Sequence, residues 1–294
     1  MPNKLTIRIL FPYLTIVLLC TFLVALSSCT RSNDRHTDDH KIVVLAYHQI
    51  NDDLTNTYTV TPQTFVEQVS SLLRRGYVSI NSNDYYAWQT GKQTLPSKCF
   101  LLTFDDGSES DYTIVYPLLK KMNLRATFFP VISHIDDPGR ISTKQLQEMS
   151  RDERYSFGSH TVNHKVLPLL ETEELRRELV DSRLFLEKIT GKNTISLSYP
   201  FGAWIQSTIP IAQEAGYKMA FTIIGGVNGV SSDLFTLRRI AAVNSLQEQD
   251  WIRITDFDPE TYHDYYSSLL KQSIAAGHTD IATICRNELK KLGN

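Results

Sequence analysis

Along most of the chain the apolar positions switch between a period of two and a period near 3.6. "KIVVLAY", Lys41 to Tyr47, is an apolar run of strand length that leads into His48. "TPQTFVEQVSSLLRRGY" then reads as a helix: Phe65, Val69, Leu72 and Leu73 share a face, Thr61 caps, Pro62 takes the first helical position and Gly76 stops it. A short strand "YVSI" and a helical "NDYYAWQTG" precede "CFLLTF", an unbroken apolar strand ending in "DDG". The alternation runs on through helix "YTIVYPLLKKMN", strand "RATFFPVI", helix "STKQLQEMSRD" capped by Ser142 or Thr143, and strand "YSFGSH". Helix "ETEELRRELVDSRLFLEKITG", strand "TISLSYP", helix "IQSTIPIAQEAG", strand "YKMAFTI" and a last strand within "FTLRRIAA" complete it. Strands separated by helices of this length predict a parallel sheet with helices outside. The number of βα units favours closure, so the expected fold is α/β, a distorted (β/α) barrel of about seven parallel strands. Functional groups then belong where strands end.

The two ends of the chain read differently. Lys4 and Arg8 precede an apolar run that ends in "LSSC", Leu26 to Cys29, the pattern of a secretory signal. It resembles a bacterial lipoprotein signal, which implies removal of residues 1–28 and a lipid on Cys29. Residues 29–40, polar and aperiodic, are expected to be a flexible tether. His36, Asp38, Asp39 and His40 within it have nothing to fix a metal geometry. The expected location is the cell envelope or periplasm, on a membrane. That membrane is the outer one where the cell has one, because Thr30 follows the cysteine. Residues 41–257 form the main domain, and 258–294 read as a helical C-terminal extension. In that extension Tyr262, Tyr265 and Tyr266 read as core rather than a carbohydrate-stacking stripe.

Charge narrows the partners. Lys and Arg number 30 against 32 Asp and Glu, and no basic patch argues for nucleic acid. Cys99 and Cys285 lie beyond the signal, and two distant cysteines do not establish a disulfide.

Two motifs carry chemistry. "LLTFDDG" delivers Asp105 and Asp106 at a strand end, in a turn that Gly107 permits. Alone it also reads as a solvated turn capping the next helix. "SHTVNH" places His160 and His164 four apart, the spacing that puts two rings on one side of a helical turn. One carboxylate with two histidines is a facial ligand set with positions left open. The second carboxylate is then free to act as base in metal-assisted hydrolysis. A non-haem iron oxygenase uses a similar set, but the adjacent second aspartate and the predicted barrel weigh against it. His48, taken alone, reads either as a packed ring or as a catalytic group at a strand end.

"TFDDG", "RATFF", "GSHTVNH" and "SYPFG", in this order, resemble the polysaccharide deacetylases of carbohydrate esterase family four. The resemblance implies that Asp105 is the catalytic base and that Asp106, His160 and His164 hold a divalent metal, Zn²⁺ or another first-row ion. It also implies that the Phe201 backbone N–H donates to the oxyanion. Two departures stand out. Ser198 occupies the place of an arginine that steadies the base, and no late "Leu-x-His" motif is present, since His263 and His278 lie in the helical tail. The chain is more similar to the circularly permuted poly-N-acetylglucosamine deacetylases of biofilm systems, whose histidine strand comes first. By that likeness "LAYHQI" supplies His48 as general acid beside the last strand, "TLRRI", from which Arg238 or, preferably, Arg239 replaces the missing arginine. The implied substrate is N-acetylglucosamine in a polysaccharide, β-1,6-linked in an exopolysaccharide, with its export machinery as a partner. Peptidoglycan is the alternative, and a non-catalytic sugar-binding lipoprotein the rival of another class. His134, Trp88 and, better placed, Trp204 are candidate sugar contacts.

Overall fold

In the computed structural model of this chain the described residues are 40–56, 58–275 and 279–292. The expected signal and Cys29, the tether up to residue 39, and His278 lie outside them. Seven parallel staves close a ring: β1 (Lys41–Tyr47), β2 (Lys98–Asp106), β3 (Ala126–Pro130), β4 (Tyr155–Phe157), β5 (Ser196–Ser198), β6 (Met219–Phe221) and β7 (Ile240–Ala241). β2 pairs with β1 on one side and β3 on the other, and β3 pairs with β4. Single bridges carry the ring further, Ser159 to Leu197 and Phe221 to Leu237, and β7 returns to β1 at Leu45 and Ala46. The barrel is distorted because several staves are only two or three residues long. Val227–Asn228 runs antiparallel to the first half of β1, and Val78–Ile80 covers the first half of β2 below β3.

The period of two decides what faces in. Ile42 and Val44 of β1, Leu101 of β2, Phe129 of β3, Met219 and Phe221 of β6 and Leu237 pack as one interior cluster. Their neighbours Val43, Leu45, Tyr47, Leu102, Phe104 and Phe128 point outward onto the helices. Each such buried side chain contributes about 1.5–3 kcal/mol. His48 has the parity of Ile42, Val44 and Ala46, and Asp105 that of Leu101 and Thr103. The alternation that builds the core therefore also aims both groups at the barrel mouth.

Helices clothe the staves. α1 (Pro62–Arg74) starts at Thr61, whose side chain accepts from the Thr64 N–H. α2 (Ser82–Gln89) carries a capping box of Asn81 and Asp84 and plugs the barrel floor with Tyr85 and Trp88. α3 (Tyr116–Lys121) continues a π-helical turn, Asp111–Val115. α4 (Thr143–Met149) is capped by Ser142 with Gln145. α5 (Thr172–Thr190) ends at Gly191 in the left-handed region, φ 68°. α6 (Thr208–Glu214) is followed by α7 (Glu248–Thr255), which the sequence reading did not anticipate. Its Trp251 is buried and donates to the Gln68 carbonyl on α1 at 3.1 Å. α8 (Pro259–Ala275) and α9 (Thr279–Lys291) form the extension, with Tyr262, Tyr266 and Cys285 in a core cluster with Ile224. Cys99 and Cys285 are both buried. No helix among the described residues is long and apolar enough to cross a membrane.

Candidate active site

At the end of β2 the chain splits its two carboxylates. Asp105 stays in strand conformation and is 1 % exposed. Asp106 takes φ 70°, which turns its side chain away and leaves it one-third exposed. Gly107, also at positive φ, has no room for a Cβ, which would stand 2.8 Å from Pro130. Two adjacent acids thus enter two environments.

Asp105 meets a buried arginine. Arg239, two residues past the Leu237 bridge, spans both carboxylate oxygens: Nη1 donates to Oδ1 at 2.9 Å and Nη2 lies 2.8 Å from Oδ2. Ser198 Oγ donates to Oδ2 at 3.0 Å and itself accepts from Arg239 Nη2 at 2.9 Å. The guanidinium is completed by Nε to the Thr222 carbonyl and Nη1 to Thr103 Oγ1. Burial alone would raise the Asp105 pKa, but the Arg239 charge and its hydrogen bonds hold the carboxyl well below the usual range. Asp105 is therefore an anion near neutral pH.

Asp106 meets the histidines. His160 and His164 Nε2 lie 3.1 Å apart, and each is 3.6 Å from Asp106 Oδ1. Three ligand atoms so close together form a metal-type cluster, the one such group among the described residues. The donor set fits a divalent ion on its tautomers as well. His160 Nδ1 sits 2.8 Å from the Ser198 carbonyl, so that nitrogen carries the proton and Nε2 offers its lone pair. Burial first, and His160 second, push the His164 pKa down to about 4, leaving that ring neutral and able to ligate.

The expected helical turn from His160 to His164 is not what forms. Thr161 and His164 adopt positive φ, 66° and 53°, and the segment is an irregular loop. It is held by Glu178 of α5, a buried carboxylate that the sequence reading passed over. Glu178 accepts from the backbone N–H groups of Val162 and Asn163 at 2.9 and 2.8 Å and from the Asn163 side chain at 2.7 Å. Three bonds to one carboxylate offset its burial and fold the loop so that the two rings converge.

The remaining candidates divide. His48 lies at the mouth with its Nδ1 buried and unpartnered among the described residues. Burial lowers its pKa while Asp105 and Asp106 pull it up, with Arg239 and His160 acting in the lowering direction. Phe201 stands in a left-handed turn, φ 59°, with its ring 4.5 Å from His164. Trp204 is half-buried and stacks on Tyr199. His134, on the turn Ile132–His134, is close enough to depress His164. Trp88 is corrected: it is 1 % exposed in the barrel floor, far too buried to meet a sugar. Arg238 turns outward instead, donating to Tyr266 Oη at 2.6 Å. Asp111 was also overlooked; burial, then the charges of Asp106 and Asp105, push its carboxyl well above the usual range.

A barrel whose mouth holds an Asp–His–His cluster beside an arginine-paired carboxylate has the groups that metal-assisted hydrolysis needs. The family model described as "Polysaccharide deacetylase" matches residues 92–220. That span holds Asp105, Asp106, His160, His164 and Phe201, and excludes His48 and Arg239. The chain is 28 % identical over 200 residues to YxkH of Bacillus subtilis, covering 68 % of this chain and 71 % of that protein. It is 26 % identical over 179 residues to the poly-beta-1,6-N-acetyl-D-glucosamine N-deacetylase of Staphylococcus aureus, 56 % of this chain and 61 % of that one. Among solved structures, Streptococcus pyogenes deacetylase PplD, in complex with acetate, superposes with a TM-score of 0.68 at 28 % identity. The superposition covers 73 % of this chain and 98 % of PplD.

Proposed function

We propose that the protein removes acetyl groups from N-acetylglucosamine units of a polysaccharide, with β-1,6-linked poly-N-acetylglucosamine as substrate. The observation that carries this is the juxtaposition of the Asp106–His160–His164 cluster with the buried Asp105–Arg239 pair. The name of the Staphylococcus relative supports the linkage, and the acetate in the PplD structure is what a deacetylation would release.

Asp106, His160 and His164 would hold a divalent ion, Zn²⁺ by preference for this nitrogen and oxygen set. Such an ion supplies Lewis acidity toward the amide oxygen and lowers the pKa of water. Asp105, fixed as an anion by Arg239 and Ser198, takes the proton of the attacking water. The Phe201 N–H, presented by its left-handed turn, donates to the oxygen that becomes negative. His48 gives its proton to the departing amine, so that acetate leaves and the sugar gains a positive charge. With lipid on Cys29, the enzyme works at a membrane surface of the cell envelope, where an exported polymer passes.

The test is acetate release by the full chain, loaded with Zn²⁺, from β-1,6-linked N-acetylglucosamine oligomers and from peptidoglycan. Release from the oligomers, lost in Asp105→Asn and greatly slowed in His48→Ala, is the expected result. Release from peptidoglycan alone would overturn the linkage, and release from neither would leave a sugar-binding protein.

A further inference from the structure

His48 is held unlike His160 and Asp105. His160 has the Ser198 carbonyl on its Nδ1, and Asp105 has Arg239 and Ser198 on both oxygens. The buried Nδ1 of His48 has no such partner among the described residues. The ring of Tyr58 lies beside the imidazole, its centroid 5.0 Å away and tilted by 36°. Tyr58 sits on a loop that leaves Gln49–Ile50 and returns as Thr59–Val60, the two segments pairing as a short parallel ladder. Side chains brace the loop from within. The Asp53 N–H donates to Asn51 Oδ1, the Thr55 N–H to Asp53 Oδ1 and the Tyr58 N–H to Asn56 Oδ1, at 2.9, 3.0 and 2.9 Å. Tyr58 keeps 51 % of its surface exposed. Its packing against His48, rather than burial of its own, is what the loop secures.

We propose that Tyr58 is the positioning residue of the general acid: its ring, packed against the imidazole, holds in place a side chain whose Nδ1 makes no hydrogen bond and screens part of it from bulk water. The proposal rests on His48 being the acid. Its effect is twofold. A stacked ring confines the imidazole to one orientation toward the leaving amine, where small misplacements are costly. The cover also contributes to the burial that lowers the His48 pKa; Asp105 and Asp106 oppose it, and Arg239 and His160 reinforce it. Without Tyr58 the ring regains water and its pKa moves back up toward ~6.5. A general acid must be protonated, so activity falls as pH rises through its pKa, and that alkaline limb moves to higher pH when Tyr58 is removed.

The experiment measures kcat and KM across pH for the full chain, Tyr58→Ala, Tyr58→Phe and His48→Ala on N-acetylglucosamine oligomers. Long-range proton–nitrogen spectra of the histidine rings give the His48 pKa independently of turnover. Tyr58→Ala should lose roughly 10- to 100-fold in kcat with little change in KM. Its alkaline limb and its His48 titration should both move up, and Tyr58→Phe should restore both. An unchanged kcat and titration in Tyr58→Ala overturns the proposal, as does a rise in KM alone, which would make Tyr58 a sugar contact. Failure of Tyr58→Phe to rescue would assign the effect to the hydroxyl and also overturn it. A His48→Ala enzyme with full activity would instead sink the acid assignment itself, whatever Tyr58 does.

Discussion

The two groups proposed to handle protons in the cleft stand on neighbouring staves and are held in opposite ways. Asp105 is enclosed in a closed polar layer of Arg239, Ser198, Thr103 and Thr222, with every hydrogen bond made. His48 has an unpartnered nitrogen and one aromatic neighbour. The difference follows from charge. A buried anion is tolerable only with a full set of partners, because desolvation costs several kcal/mol per ion. The proposed acid must change charge in every turnover, and a permanent ionic partner would oppose half of that cycle. A neutral imidazole survives incomplete satisfaction at about 1–3 kcal/mol. The fixed charge is built in, and the variable one is left loosely held.

The hardest blow to this contrast comes from Asp105→Asn. It keeps the shape of the polar layer and removes the base, and it should lower kcat by roughly 10²–10⁴-fold while metal content stays intact by elemental analysis. Arg239→Met comes next and acts on stability as well as rate. Leaving Asp105 buried without its cation should cost about 3–5 kcal/mol, read by thermal or urea unfolding. The pH sign follows from the depressed Asp105 pKa. The stabilisation it adds is complete above the unfolded value of ~3.9 and fades as pH falls from there toward the folded value. Arg239→Met should therefore erase the advantage at neutral pH and move the acid limb of kcat upward. Glu178→Gln tests the other motif. It should weaken metal binding roughly 10- to 100-fold, measured by competition with a chelator, because the His160–His164 loop loses its anionic anchor. The smallest effect belongs to Ser198→Ala, about 1 kcal/mol by unfolding, since Arg239 still spans both oxygens. A larger loss would mean that Ser198, rather than Arg239, steadies the base.

Much of the barrel was legible because its staves are apolar runs whose parity sets inside from outside, and because Asp105, Asp106, His160 and His164 stand in compact local motifs. Arg239 was reachable through topology: a first stave carrying His48 has to close against the last, which carries "RRI". Glu178 was not found, though it had a signal. With Leu175, Leu179, Ser182 and Leu186 it lies on the buried face of α5, so a carboxylate there had to have partners inside. Asp111 gave none, because its burial comes from a π-helical turn that no period announces. The helical spacing of His160 and His164 gave the right neighbours for the wrong reason. The rings meet through positive-φ loop geometry fixed by a residue far along the chain. Trp88 looked like a sugar platform because aromatic composition alone does not separate a binding face from a barrel floor. α7 escaped notice because its period is short and interrupted by charge.

The closure of β1 against both β2 and β7 has a consequence for synthesis. The first stave to leave the ribosome is flanked along its length by residues 98–104 on one side and near its end by 240–241 on the other. Such long-range pairings are slow to form. Until residue 241 has emerged, Asp105 has no arginine, and the barrel is an open sheet with a charge at its lip. The nascent chain therefore carries neither a closed barrel nor a complete site until its last stave is made.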